Sequence, residues 1–404
     1  MCFDKERCGI LLYNEIEKKF MVPPSKSDID LLCFSHLRWN FVYQRPQHLM
    51  SRFAKQRRVF YFEEPVYDAP SQYNEIFDDP ESGVCVVTPH ITSDTENSNE
   101  ALRHLLQIFM ASMKIKSHVA WHYTPLSLAF SDHLRSELVV YDCMDELSSF
   151  KFASPLLKEW EKKLFAKADI VFTGGMHLYE AKKNFHSNIF GVPSGIDINH
   201  FIQAREFAKD PHDQASIPHP RIGYYGVVDE RFNIELLRSV AQQKPDWHFI
   251  VVGPTAKIDP DTLPTNANIH FIGMRDYKEL PSYLAGWDVA MMPFELNEAT
   301  KYISPTKTPE FLAAGKPVVS TSIHDVVHPY GDKKLVSIAD TPGEFVAAIE
   351  QYLSTERGKG WLKEVDALLK TMSWNDIWKR MNDLMNKTLN LKTIKHENES
   401  QTYV

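Results

Sequence analysis

The chain has 404 residues, 43% of them apolar and 24% charged, with a net charge of −8. That length exceeds one ordinary hydrophobic core and fits two α/β domains of about 150–200 residues each. The acidic balance excludes a general nucleic-acid binder, whose surface would be basic, while leaving room for one basic cleft around a phosphate ligand.

Residues 1–27 are charged throughout and end in Pro23-Pro24-Ser25, which reads as a lead-in segment. A short apolar run at 30–35 is the first expected strand. A helix follows from Arg45-Pro46 to Lys55, with proline in its first turn. Strands are expected at 59–63 and 84–88. Over 101–114, Leu102, Leu105, Leu106, Phe109, Met110 and Met113 fall at helical spacing, and the stretch runs into Lys114 and Lys116, as suits a helix C-terminus. Strands at 118–123, 138–142, 168–174 and 189–191, interleaved with helices over 156–167 and 176–184, make a βα alternation that implies a parallel sheet.

Residues 203–220 break that pattern with a polar stretch carrying three prolines, and 206–220 reads as an interdomain linker. The alternation then restarts: strands at 221–226, 248–253, 269–273, 289–294 and 317–321, and helices over 233–243, 277–285, 308–314 and 345–354. A helical pattern of Ile377, Trp378, Met381, Leu384 and Met385 follows, and then a polar tail expected to be loose. The expected organisation is a first domain over 28–205, the linker, a second domain over 221–372, a last helix over 373–388 and the tail over 389–404.

In open α/β sheets, ligands bind outside the carboxyl ends of the strands, so the residues that follow strands are the site candidates. Gly226 ends one strand and lets a ligand approach the backbone; Gly273 ends another. Arg231 lies just before the helix near Asn233, a place suited to a diphosphate, although pairing with Asp229 or Glu230 is the bland alternative. Lys307 and Thr308 stand at the lip of a short helix, where free amides, dipole and ammonium can act together on phosphate. Glu310, in the first turn, would be repelled by phosphate. A ribose diol is its natural partner, unless it only complements the helix dipole.

The segment "SPTKTPEFLAAGKPVVST" (304–321), after "WDVAMMPF" (287–294), resembles the donor site of GT-B glycosyltransferases. The stretch 168–201, with "GVPSGIDINHF", resembles the end of their first domain. "SHLRWNFVYQRPQHLMSRFA" (35–54) and "YDCMDELSSF" (141–150) are similar to a bacterial subgroup, the teichuronic-acid and exopolysaccharide glycosyltransferases. The likeness covers roughly residues 29–386.

This resemblance implies two facing Rossmann-like domains with the C-terminal helix crossing back to the first. It implies a nucleotide-sugar donor, UDP by family habit, and a glycan or lipid-linked glycan acceptor in surface polysaccharide synthesis. It also implies metal-independent catalysis, with Lys307, Arg231 and helix dipoles offsetting leaving-group charge and no cofactor. Neither Asp-x-Asp pair, at 28–30 or 259–261, follows a strand in the place a metal site needs.

For the inverting reaction, Asp142 at the end of its strand is the expected base, with Asp145 a turn later as the alternative; capping the next helix is the bland alternative for either. Arg38, Trp39, Gln44 and Arg45 after the first strand, and His122 after another, are expected to line the acceptor side. Trp39 offers a ring for a sugar face, against plain packing as the alternative. Many retaining members carry two glutamates with seven residues between them. Glu310 matches the second, but Tyr302 occupies the first. A retaining transferase, a nucleotide-sugar epimerase and a non-catalytic sugar-nucleotide-binding subunit therefore stay open as alternatives.

The five cysteines, at 2, 8, 33, 85 and 143, form no metal or redox pair and read as reduced thiols in a cytoplasmic protein. The charged N-terminus is no signal peptide, and no apolar run reaches the roughly 18 residues of a membrane span. Membrane contact is expected to be peripheral at most, at the inner face.

Overall fold

The computed structural model describes residues 28–92, 97–207, 209–355 and 358–401. The chain folds as two sheets, parallel throughout except for one edge strand of the first. The first holds β1 (Asp30–Phe34), β2 (Val59–Phe62), β3 (Tyr73–Asp78), β4 (Cys85–His90), β5 (His118–His122), β6 (Leu138–Cys143), β7 (Ile170–Thr173) and β8 (Ile189–Gly191), in the order β3-β4-β2-β1-β5-β6-β7-β8. β1, β2 and β5 to β7 are buried along their whole length, which is why they read as continuous apolar runs rather than alternating ones. Helices α1 (Arg45–Ala54), α2 (Ser98–Ser112), α3 (Leu157–Lys167) and α4 (Met176–Lys182) connect them.

The second sheet holds β9 (Arg221–Tyr225), β10 (His248–Val252), β11 (Ile269–Gly273), β12 (Val289–Met292), β13 (Val318–Ser320) and β14 (Val336–Ile338), ordered β11-β10-β9-β12-β13-β14. Its helices are α5 (Ile234–Gln243), α6 (Leu280–Ala285), α7 (Lys307–Ala313), α8 (Pro342–Ser354) and α9 (Lys359–Leu369). Local chemistry sets their starts. Asn233 accepts the Leu236 N–H at 2.7 Å to cap α5. Thr341 and Glu344 form a reciprocal capping box on α8, with Pro342 in its first turn.

The strand order reverses between β1 and β5 in the first sheet and between β9 and β12 in the second. Those two switch points place the ligand crevices. α10 (Trp374–Gln401) crosses back, and its Trp374, Met381 and Met385 are buried in the first sheet's core with Leu49, Phe53 and Trp121. No helix among the described residues is long and apolar enough to cross a membrane.

Five parts of the chain differ from the sequence reading. β3 was not expected; it is an antiparallel edge strand whose residues are almost all exposed, so it lacks an apolar run. β14 and α9 were also missed. Residues 206–220, expected as a plain linker, pack on the second domain. There the fully buried Gln214 accepts from Trp287 Nε1 at 2.9 Å, Asp210 pairs with Arg221 at 2.6 Å, and Asp213 pairs with Arg275 at 2.6 Å. The tail expected to be loose continues α10 to Gln401, with Lys392 anchored on Asp169 at 2.8 Å. The lead-in segment 1–27 lies outside the described residues, as do Cys2 and Cys8. Cys33, Cys85 and Cys143 are free thiols and buried.

Candidate functional site

The second domain supplies a glycine lip. β9 runs into Gly226, at φ +141, and β10 into Gly253, at the same φ. A Cβ on Gly253 would lie 2.1 Å from the Gly226 carbonyl oxygen, and one on Gly226 would lie 2.2 Å from Lys307 Cε. The backbone at the switch point is therefore bare, and the Lys307 amine lies directly over it. Gly273 ends β11, and its carbonyl accepts from the Gly253 N–H at 2.8 Å.

Lys307 opens α7. Its ammonium has no ion-pair or hydrogen-bond partner among the described residues. Burial lowers its pKa below 10.5 and Arg231 pushes the same way, against Glu310, Asp229 and Asp145. Arg231 follows β9 and is gripped by Asp229 on two sides, Nε–Oδ1 at 2.9 Å and Nη2–Oδ2 at 2.6 Å. The expected Arg231 pairing with an acidic neighbour thus exists, and the partner is Asp229. Two cations, one after β9 and one opening α7, thus share this corner with the Asp229 carboxylate.

Glu310 is 7% exposed and takes a hydrogen bond from the Tyr225 hydroxyl on one oxygen. Burial pushes its pKa up to about 7; Tyr225 and Lys307 oppose this and Asp197 adds to it. Its other oxygen has no hydrogen bond among the described residues. Thr308 does not reach the lip. It is fully buried with its hydroxyl on Met292 Sδ at 3.2 Å, because one residue along a helix turns a side chain by about 100°.

On the first domain the expected base is corrected. β6 continues to Cys143, and Asp142 is fully buried, its carboxylate held by Arg45 through Nε at 2.9 Å and Nη2 at 2.9 Å. Arg45 is itself 1% exposed and also donates to the Val192 carbonyl at 2.9 Å. The two expected cleft residues are therefore one internal ion pair under α10. Burial pushes the Asp142 carboxyl up and Arg45 pulls it back.

Asp145, on the loop after β6, is the carboxylate that feels the second domain's charges. Burial raises its pKa to about 6, while Arg231, Arg45 and Lys307 pull it down and Asp229 adds to the rise. Its carboxylate accepts no hydrogen bond among the described residues.

The remaining expected acceptor residues scatter. Trp39 is 5% exposed, with its indole N–H on Asp79 at 3.0 Å and its ring edge-on to Tyr61, so it packs rather than offering a sugar platform. His122 is buried against Phe34 with Nδ1 on Ser127 at 2.8 Å, and burial lowers its pKa to about 3. It does not face the cleft. Arg38 pairs with Glu63 at 2.9 Å and stays at the rim. Gln44 caps α1, its N–H taken by Gln47 at 3.0 Å.

His36, two residues past β1, was passed over by the sequence reading. Its Nδ1 is buried without a partner among the described residues, and burial, then Lys257 of the second domain, lowers its pKa to about 4. Its position beyond the central strand was the available signal.

The domains also touch away from the lip. Asp325 accepts the N–H groups of Met176 and His177 at 2.8 and 3.0 Å, at the start of α4. Tyr302, at the place of the absent glutamate, lays its ring beside His177 and packs on the first-domain core.

Residues 219–355 match the family described as glycosyl transferases group 1. The chain is 25% identical over 280 residues to the putative teichuronic acid biosynthesis glycosyltransferase TuaH of Bacillus subtilis strain 168, spanning 65% of this chain and 70% of that one. Sucrose-phosphate synthase from Thermosynechococcus elongatus shares the fold with TM-score 0.66 and 15% identity, over 90% of this chain and 100% of that one. Anabaena HepE in complex with UDP and glucose does so with TM-score 0.64 and 14% identity, over 89% and 100%. Carrying a glycosyl transferases group 1 domain on a two-sheet GT-B frame, the chain is a glycosyltransferase.

Proposed function

We propose that the protein transfers a sugar from a UDP-sugar to a hydroxyl of a glycan or lipid-linked glycan during surface polysaccharide synthesis, at the inner face of the membrane. The observation that carries this is one cluster shared by both domains. Asp145 of the first domain feels Arg231 and Lys307 of the second, beside the bare Gly226 backbone. Those two cations suit a diphosphate, whose negative charge grows as the sugar leaves. The free oxygen of Glu310 suits a ribose hydroxyl.

Asp145 then takes the proton from the acceptor hydroxyl as that oxygen attacks the anomeric carbon, and the bond to the nucleotide breaks with inversion. A base near neutrality is matched to this task, and a pKa of about 6 lies in that range. The cations offset the leaving charge without a metal ion or other cofactor. UDP is favoured because HepE was solved with UDP and glucose, and the structure described as trehalose-6-phosphate from E. coli was solved with UDP-2-fluoro glucose. Surface polysaccharide synthesis is favoured by the teichuronic acid relative.

The test is a thermal-shift screen of nucleotides and nucleotide sugars, followed by NMR of the product's anomeric configuration. Stabilisation by UDP and an inverted product are expected. Product formed from donor alone would replace transfer with epimerisation, and a retained configuration would remove Asp145 as base.

A further inference from the structure

The loop that carries Asp145 is tied at both ends, and to different domains. At its root, Glu146 pairs with Lys182 of α4 at 2.6 Å and accepts the Ser148 hydroxyl at 2.7 Å. Lys182 is pinned in turn by Glu161 at 2.7 Å. The root therefore belongs to the first domain. At its tip, the Lys151 N–H donates to Glu230 Oε1 at 2.8 Å, and the Arg231 guanidinium lies 5.5 Å from the Phe150 ring centre. Glu230 and Arg231 belong to the second domain and follow β9, the strand that ends in the glycine lip. Phe152 turns the chain at φ +63 with its side chain 84% exposed. A bulky residue in the left-handed region is disfavoured and persists only where its surroundings hold it.

We propose that residues 145–152 form a strap coupling occupancy of the donor-diphosphate site to the placement of Asp145, with Phe150 and Glu230 as positioning residues. This rests on the reading of Arg231 as a diphosphate ligand and Asp145 as base.

The physical chain is short. A diphosphate arriving at Arg231 competes with Asp229 for the planar guanidinium and fixes its plane. Phe150 lies against that plane, so the strap's tip is fixed with it. Glu230 has its second oxygen buried and without a partner among the described residues. Its grip on Lys151 is therefore the one hydrogen bond its carboxylate makes among the described residues, and it ties the tip to the second domain. The bound anion also neutralises Arg231 and Lys307, two of the cations that hold Asp145 down, so Asp145 becomes a stronger base once the donor is in place. Donor binds first and readies the base; without donor the tip rests on Glu230 and on an Arg231 that Asp229 holds.

Hydrogen exchange of the amides of residues 147–153, with and without UDP, tests this, with UDP binding followed by calorimetry. In the wild-type protein UDP slows exchange of these amides several-fold. In Phe150→Ala and Glu230→Ala, UDP still binds and the slowing disappears, while Phe150→Tyr restores it. A variant that merely misfolds is exposed by fast exchange in β6 as well. Equal UDP-dependent slowing in both alanine variants would overturn the strap while leaving the donor site standing. Failure of the wild-type protein to bind UDP would overturn the donor reading and the coupling with it.

Discussion

Asp142 and Asp145 lie three residues apart and should respond to the same substitution with opposite signs. Consider Asp145→Asn. Burial raises the carboxyl from 3.8 to about 6, so the folded state binds more protons than the unfolded chain between those values. Stability is therefore lost as pH rises through that window, and at pH 7.5 the loss is complete. Two units correspond to about 3 kcal/mol. An amide in the same place still loses hydration, worth about 1–2 kcal/mol, which leaves a net gain of about 1–2 kcal/mol. At about 2–4 °C per kcal/mol the variant should melt several degrees higher than wild type.

Asp142→Asn instead strands a guanidinium that is 1% exposed, a loss of about 3–5 kcal/mol. Turnover should fall in Asp145→Asn by about 10²–10⁴-fold, the range for a general base. Calorimetry at pH 7.5 and pH 5 reads the first part. The Asp145→Asn gain should shrink at pH 5, where the wild-type carboxyl is largely protonated. An Asp145→Asn protein that melts below wild type, with Asp142→Asn unchanged, would refute the reasoning.

Three further outcomes follow from the same geometry. Lys307→Ala and Arg231→Ala should each weaken UDP binding by about 1.5–3 kcal/mol by calorimetry; unchanged affinity in both removes the donor site. Glu310→Gln should weaken UDP while sparing pyrophosphate, and wild-type UDP affinity should fall as pH drops through about 7, where Glu310 gains its proton; equal loss of both ligands makes Glu310 structural. Asp325→Ala removes two charge-assisted hydrogen bonds between the domains and should enlarge the radius of gyration in small-angle scattering, with an unchanged profile counting against a closed resting form.

The sheets were legible because buried parallel strands are written as apolar runs, and Gly226, Arg231, Lys307 and Glu310 were legible because they follow such runs. What failed depends on partners far along the chain. Asp142 looked like a strand-end carboxylate, but Arg45, 97 residues earlier, claims it. That partnership leaves no local trace, and the strand's extra residue, Cys143, moves the exposed position on to Asp145. Trp39 and Thr308 failed similarly, since Asp79 and Met292 set their directions. The exposed edge strand β3 lacks the burial that periodicity detects. His36 was visible in position and was overlooked because the arginines and tryptophan beside it drew the assignment.

The Asp325 contact has a consequence for the symmetry of the molecule. Both halves are built on the same plan, so each owns strand-to-helix turns whose amides attract negative charge. In the first half, the turn before α4 is already filled by a carboxylate that the second half carries with it. An incoming diphosphate meets a plugged socket on one wall and an open one on the other. In the proposed reaction one aspartate thereby sets an acceptor side apart from a donor side, and the same plug gives up its amides only when the halves part.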